Sequence, residues 1–259
     1  IKYLNCLKYG AARKRNIAAD VACGDILLFL DDDVICEDFF LKEILEVFTG
    51  DKNNRIGGAC GIITNSSYVN LSRRNRMLFE FCLRQEERRN EYAGCVVGPA
   101  VNFWPRDIPN SWQMVHWMAS GVSAYRKEVF QKYRFNEAFF GYSFMEDVDL
   151  SIRVAKEYLL VCTTKARLYH KDLGSKTHKN WIKIGKMQVL NRWYIMFFVL
   201  GKKTFSDKLS FLYYQLYCLF SELFNIRSSK DLKNALLRWF GRIIGVLSIK
   251  AAMLFLRNQ

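Results

Sequence analysis

Residues 24–40 read GDILLFLDDDVICEDFF. Ile26 to Leu30 is wholly apolar and stops abruptly at three adjacent carboxylates, Asp31, Asp32 and Asp33. So short and so apolar a run predicts a strand buried on both faces. Its neighbours are helical in pattern. Residues 10–23, GAARKRNIAADVAC, are rich in alanine, and Gly24 suits the helix's C-terminal end. Residues 38–48 carry Phe40, Ile44, Val47 and Phe48 at helical spacing, with Asp38 placed to cap the start and Gly50 just beyond the end. Helix, buried strand, acidic loop, helix is the order of an α/β fold. It sets the carboxylates at the C-terminal end of a strand, where open parallel sheets bind their ligands.

In an extended chain residues i and i+2 point to the same side, so Asp31 and Asp33 share one ligand while Asp32 points away. Such a pair suits Mg2+ or Mn2+, hard ions that prefer oxygen and often bridge to phosphates. A solvated acidic turn is the competing account. A second acidic cluster, GYSFMEDVDLSIR, covers residues 141–153. Ser143 and Glu146 have capping-box spacing, Asp147 and Asp149 fall in the first helical turns, and Asp149 and Arg153 form an i,i+4 pair. The cluster is a well-capped helix, a site for a general base, or both.

Elsewhere the pattern is coarser. Residues 56–64, IGGACGIIT, predict a strand interrupted by glycines, and 71–91 a charged helix or loop. Residues 94–125 hold all three prolines and three of the tryptophans, which predicts an irregular segment. A helix over 144–158 and a strand over 159–170, ending at His170, follow. The eight cysteines are never closer than 13 residues, so no C-x2-C metal pair exists. Their scatter fits reduced thiols in a cytosolic setting.

Charge is uneven. Residues 1–170 hold 23 Lys and Arg against 21 Asp and Glu, whereas 171–259 hold 16 against 4. In the basic part, apolar stretches at 193–200, 209–224 and 235–256 alternate with cations. The last is long enough to span a bilayer, but Arg238, Arg242 and Lys250 interrupt it. It suits a helix lying in the plane of an anionic membrane surface, or a helical cap packed on the rest of the protein. No zinc spacing or RNA-binding motif supports a nucleic-acid partner.

Four stretches occur together in one order: ARKRNIAADVACGDILLFLDDDV, WMASGVSAYRKEVFQKYRFNEAF, EDVDLSIRV and ARLYHK. Over residues 10–175 this pattern resembles family 2 glycosyltransferases of the GT-A fold, rhamnosyltransferase-like members especially. The resemblance implies an α/β fold with a Rossmann-like mixed sheet over residues 1–178 and a basic, membrane-associating helical region over 179–259. It implies an inverting transferase that moves a sugar from a nucleotide-diphosphate donor to a glycan or lipid-linked acceptor in cell-surface polysaccharide synthesis, on the cytoplasmic side of the cell membrane.

Carried over by residue, it makes Asp31, Asp33 and His170 the ligands of Mn2+ or Mg2+, with Asp31 alternatively reaching the nucleotide ribose and His170 alternatively a satisfied structural histidine. Asp147 is the base on the acceptor hydroxyl, and Glu146 helps to bind acceptor. Arg15 faces donor phosphates or is simply a solvated helix residue. Asn16 and Asp32 belong to the matched donor-side motifs. Trp117 and Gly121 border the sugar pocket, with core packing the alternative for Trp117. The family's opening strand and helix, which bind the base, have no counterpart here, so the expectation is an N-terminally incomplete catalytic domain. Two rivals remain: a non-catalytic basic membrane-binding protein, and a metal-dependent nucleotidyltransferase.

Overall fold

The computed structural model describes residues 2–6, 10–65, 77, 92–139, 143–171, 180–224, 226 and 228–257. The charged 71–91 segment lies almost wholly outside them. The chain divides into two compact units. One comprises residues 1–69, 92–96 and 102–173, and the other 70–91, 97–101 and 174–259.

The first unit is built on a six-stranded mixed sheet. In chain order its elements are α1 (Ala11–Val21), β1 (Ile26–Leu30), β2 (Val34–Cys36), α2 (Phe40–Thr49) and β3 (Ile56–Ile63). After β4 (Val96–Val97) and β5 (Val101–Asn102), which pair with each other, come β6 (Trp112–Met114) and β7 (Val122–Arg126). Then follow α3 (Lys127–Lys132), α4 (Glu146–Val154) and β8 (Leu159–His170). The sheet order is β1-β7-β3-β8-β2, with β6 also on β8. β7 is antiparallel to both β1 and β3, while β3 and β8 run parallel. β1, β3 and β8 therefore point the same way. Two apolar layers sandwich the sheet. Leu27, Phe29, Tyr125, Phe130, Phe135, Leu150 and Leu160 fill one, and Phe40, Ile44, Phe48, Val122, Val161 and Leu168 the other.

The strand ending in the aspartates forms where expected, but it is not covered on both faces. Leu27 and Phe29 are buried, Ile26 and Leu28 only partly, and Leu30 is exposed. β1 is an edge strand among the described residues, which explains the alternation. α1, β3 and β8 also lie where the pattern puts them. The helix ends differ. Ala22, in extended backbone, closes α1, so Gly24 is not its cap. α2 starts from Phe39 at φ 68°, with no side-chain cap from Asp38. α4 starts from Met145 at φ 69°, and the Ser143–Glu146 capping box does not form. Ser143 Oγ instead donates to Phe139 O and accepts from Ala12 N. The helix expected over 144–158 is accordingly shorter. The Asp149–Arg153 pair forms at 2.7 Å. In 94–125 the prolines sit between short strands rather than in a wholly irregular segment.

The second unit is helical: α5 (Trp181–Tyr194), a π-helical turn over Ile195–Val199, α6 (Phe205–Phe224) and α7 (Ser229–Arg257). α5 and α7 approach closely because both lack side chains at the crossing. A Cβ on Gly185 would overlap Arg238 O, and one on Gly241 would overlap Ile182 O. Behind this crossing Arg242 donates to Gln188, Gln215 and Glu222. No helix among the described residues is long and apolar enough to cross a membrane.

Candidate active site

The two acidic clusters are far apart in sequence and meet around one arginine. Arg15 projects from α1. Its Nη1 donates to Glu146 Oε1 at 2.8 Å and its Nη2 to Asp31 Oδ1 at 3.0 Å. The guanidinium also lies over the Phe135 ring, 5.6 Å from the centroid. A planar fork holds two carboxylates in fixed directions, whereas a lysine offers a compact charge on a flexible stem.

Asp31 leaves the end of β1 beside Gly121. A Cβ at Gly121 would stand 2.5 Å from Asp31 Cγ and nearer still to Oδ2. Glycine is required there to make room for the carboxylate. On the other side, β2 and β8 pair with Val34 opposite His170, which brings His170 next to Asp33. His170 Nε2 lies 3.3 Å from Asp33 Oδ1. Asn65 fixes the histidine's backbone, donating to His170 O at 2.7 Å and accepting from His170 N at 3.0 Å.

One ligand atom from each of Asp31, Asp33 and His170 falls within 4.8 Å of the others. A cation about 2.1 Å from each of three donors requires separations of this order. Two carboxylates and an imidazole fit Mn2+ well, since imidazole suits transition ions and carboxylate suits Mn2+ and Mg2+ alike. Asp31 and Asp33 come together although residues 32 and 33 form a turn rather than an extended strand. Asp32 stands exposed at that turn.

Glu146 and Asp147 open α4. Glu146 is buried and also accepts from Ser120 Oγ at 3.1 Å. Burial, reinforced by the neighbouring Asp147 charge, pushes its carboxyl up to about 8 against the pull of Arg15. Asp147 is half-buried, and loss of solvation lifts it to about 6. The Val148 N–H, 2.8 Å from Asp147 Oδ1, together with Arg15 and the Ser120 backbone, limits that rise. A carboxylate poised near neutrality is suited to taking a proton.

The family model described as glycosyl transferase family 2 matches residues 1–134. The chain belongs to glycosyl transferase family 2. Its mixed α/β sheet agrees with the GT-A fold expected from the sequence. Among solved structures, this family 2 chain is similar to GalNAc-T7 with UDP, GalNAc and Mn2+, at 12% identity and a TM-score of 0.44, over 63% of this chain and 30% of that one. It is also similar to the mannosyltransferase PcManGT from Pyrobaculum calidifontis in complex with GDP-Man and Mn2+, at 9% identity and a TM-score of 0.43, over 93% of this chain and 66% of that one. The chain thus spans under two thirds of either protein's length. No curated protein matches it.

The other site residues expected from the sequence have their polar groups engaged elsewhere. Asn16 is buried in α1. Its Nδ2 donates to Phe135 O at 2.9 Å and to Glu137 Oε1 at 3.0 Å, and its Oδ1 accepts from Phe135 N at 3.0 Å. Asn16 thereby fastens the ring on which Arg15 rests. Asn16→Ala is expected to strand two buried backbone groups, each worth about 1–3 kcal/mol. A thermal melt should show a fall of several degrees; an unchanged melting temperature would contradict this anchoring role. Trp117 is buried against Trp104, centroids 4.9 Å apart, with Nε1 donating to Phe103 O. Ser120 and Asn65 were not singled out from the sequence. Ser120 sits inside the quoted WMASGVSAYRKEVF segment, but nothing in that segment points to Glu146. Asn65 carries no local signal at all.

Proposed function

We propose that this protein is an inverting, metal-dependent glycosyltransferase. It moves a sugar from a nucleotide-diphosphate donor to a hydroxyl of a glycan or lipid-linked acceptor, in the synthesis of a cell-surface polysaccharide. The observation that carries this reading is the joining, through Arg15, of a metal-competent Asp31–Asp33–His170 group to the Glu146–Asp147 pair.

A divalent ion on the first group would supply positive charge to the diphosphate as it departs. The protein's own residues do the rest. Arg15 and Gly121 hold the Asp31 carboxylate in place. Glu146 offers a carboxyl beside the base for an acceptor hydroxyl. Asp147 takes the proton of the attacking hydroxyl. The acceptor oxygen bonds to the anomeric carbon as the carbon–oxygen bond to the diphosphate breaks, its electron pair leaving with the phosphate. Attack opposite the leaving group inverts the anomeric centre. A cytoplasmic setting belongs to the same reading, supported by the scatter of the eight cysteines, never closer than 13 residues in sequence.

The test is a panel of UDP-, GDP- and dTDP-sugars with the full-length protein, with and without Mn2+. Metal-dependent release of nucleoside diphosphate, with inverted product configuration by NMR, is expected. Release of sugar 1-phosphate, by cleavage between the two phosphates of the donor, would mean a nucleotidyltransferase, and no metal-dependent donor binding across the panel would remove the transferase reading.

A further inference from the structure

The helical unit leaves apolar surface uncovered in a definite pattern. Along α7, Leu232, Leu236, Phe240, Ile243 and Leu247 are all exposed, Phe240 to 56% and Leu247 to 78%. At 100° per residue these five fall within a narrow arc of one helix face, over a length of roughly 22 Å. α6 repeats the arrangement with Leu212, Leu216 and Phe220, each exposed and spaced four residues apart. Scattered single hydrophobic residues mean little, but continuous stripes of this size mark an interaction surface.

The charges around the stripe identify what it meets. Arg238 and Arg242, on the opposite side of α7, are turned into the unit. Arg242 lies 3.2 Å and Arg238 3.6 Å from Glu222, and Arg238 covers the Trp181 ring. The cations on the open side are Lys233, beside the stripe, and Lys250, in line with it, both exposed. Acidic groups do not offset them. Between residues 180 and 257 the acids are Asp207, Glu222 and Asp231. Asp207 accepts from Thr204 at the start of α6, Asp231 from Ser228 at the start of α7, and Glu222 is held by the two arginines.

We propose that this face of α7 docks on an anionic lipid bilayer, lying in the interface and not crossing it. The aliphatic and aromatic stripe enters the acyl boundary while Lys233 and Lys250 meet headgroup phosphates. A second copy of the chain fits less well, because two-fold pairing of the stripes would bring their uncompensated lysines together. The inference stands apart from the transfer chemistry, since it uses none of the residues of the sheet unit.

The test is flotation of the full-length protein with vesicles of phosphatidylcholine alone and of phosphatidylcholine with about 30 mol % phosphatidylglycerol. Binding to the mixed vesicles, weakened by added salt, is expected. Phe240→Ser with Leu247→Ser should lower the partition coefficient at least about tenfold, from the apolar area withdrawn. Lys233→Glu with Lys250→Glu should do likewise on the anionic vesicles only. Leu41→Ser, on the exposed side of α2, should change nothing. Circular dichroism and thermal melts show that each variant is folded. The proposal is overturned if the wild-type protein ignores the anionic vesicles, or if the Phe240/Leu247 pair leaves binding unchanged. It is equally overturned if sedimentation shows a stable dimer that the same pair dissolves.

Discussion

Asp147→Asn is expected to lower kcat about 100- to 10,000-fold, the contribution usual for a positioned general base. Asparagine keeps the size and one acceptor atom, so the Val148 N–H remains satisfied and α4 keeps its start. What it cannot do is accept a proton. The pH profile separates this from a structural effect. Burial lifts the Asp147 carboxyl to about 6, and the base works only when ionised. Wild-type turnover should therefore climb as pH rises through about 6 and level off above it. The residual activity of Asp147→Asn should lack that limb, while the donor KM stays close to that of the wild type. Near-full turnover in the variant, or an unchanged acidic limb, would remove Asp147 from the role of base.

The same residues show how far the sequence can be read. β8 begins and ends at the residues expected, Leu159 and His170, and its first half is almost wholly buried. Helix starts fared worse. Both α2 and α4 begin after a bulky residue with positive φ, Phe39 and Met145. Capping rules assume an extended cap residue with an oxygen to offer, and nothing in the side chain of Phe or Met announces a left-handed backbone. The site divides along similar lines. Asp31, Asp33, Glu146 and Asp147 stand out because runs of acid at element ends are locally conspicuous. The strand argument paired Asp31 with Asp33 even though the connecting residues form a turn. Arg15 was visible as a candidate, but not what it binds. Its partners lie 16 and 131 residues away, and only the packing of α1 against the sheet brings them together. The shared metal group likewise depends on the β2–β8 register, which places His170 beside Asp33 across more than a hundred residues. Gly121 could be noticed in sequence, yet its reason, room for one carboxylate, exists only in three dimensions.

That reason yields the second large effect. Asp33→Asn replaces a charged ligand atom by a neutral one and is expected to weaken Mn2+ binding at least about 100-fold, because hard cations bind such sites chiefly through carboxylate charge. Gly121→Ala should act on the same ion without altering a single ligand. The new methyl would occupy the space of the Asp31 carboxylate, so the carboxylate must swing away. It would then leave the group it forms with Asp33 and His170, and its 3.0 Å contact with Arg15. A loss of about 10- to 100-fold in metal affinity is expected, the range seen when a ligand's support is removed. Titration calorimetry with Mn2+ alone reads both variants independently of turnover. If the cation is held elsewhere, Asp33→Asn will bind it as the wild type does. If Asp31 is a ribose contact and not a ligand, Gly121→Ala will keep its Mn2+ affinity and lose donor affinity instead. The two variants together therefore decide between the two roles that the sequence left open for Asp31.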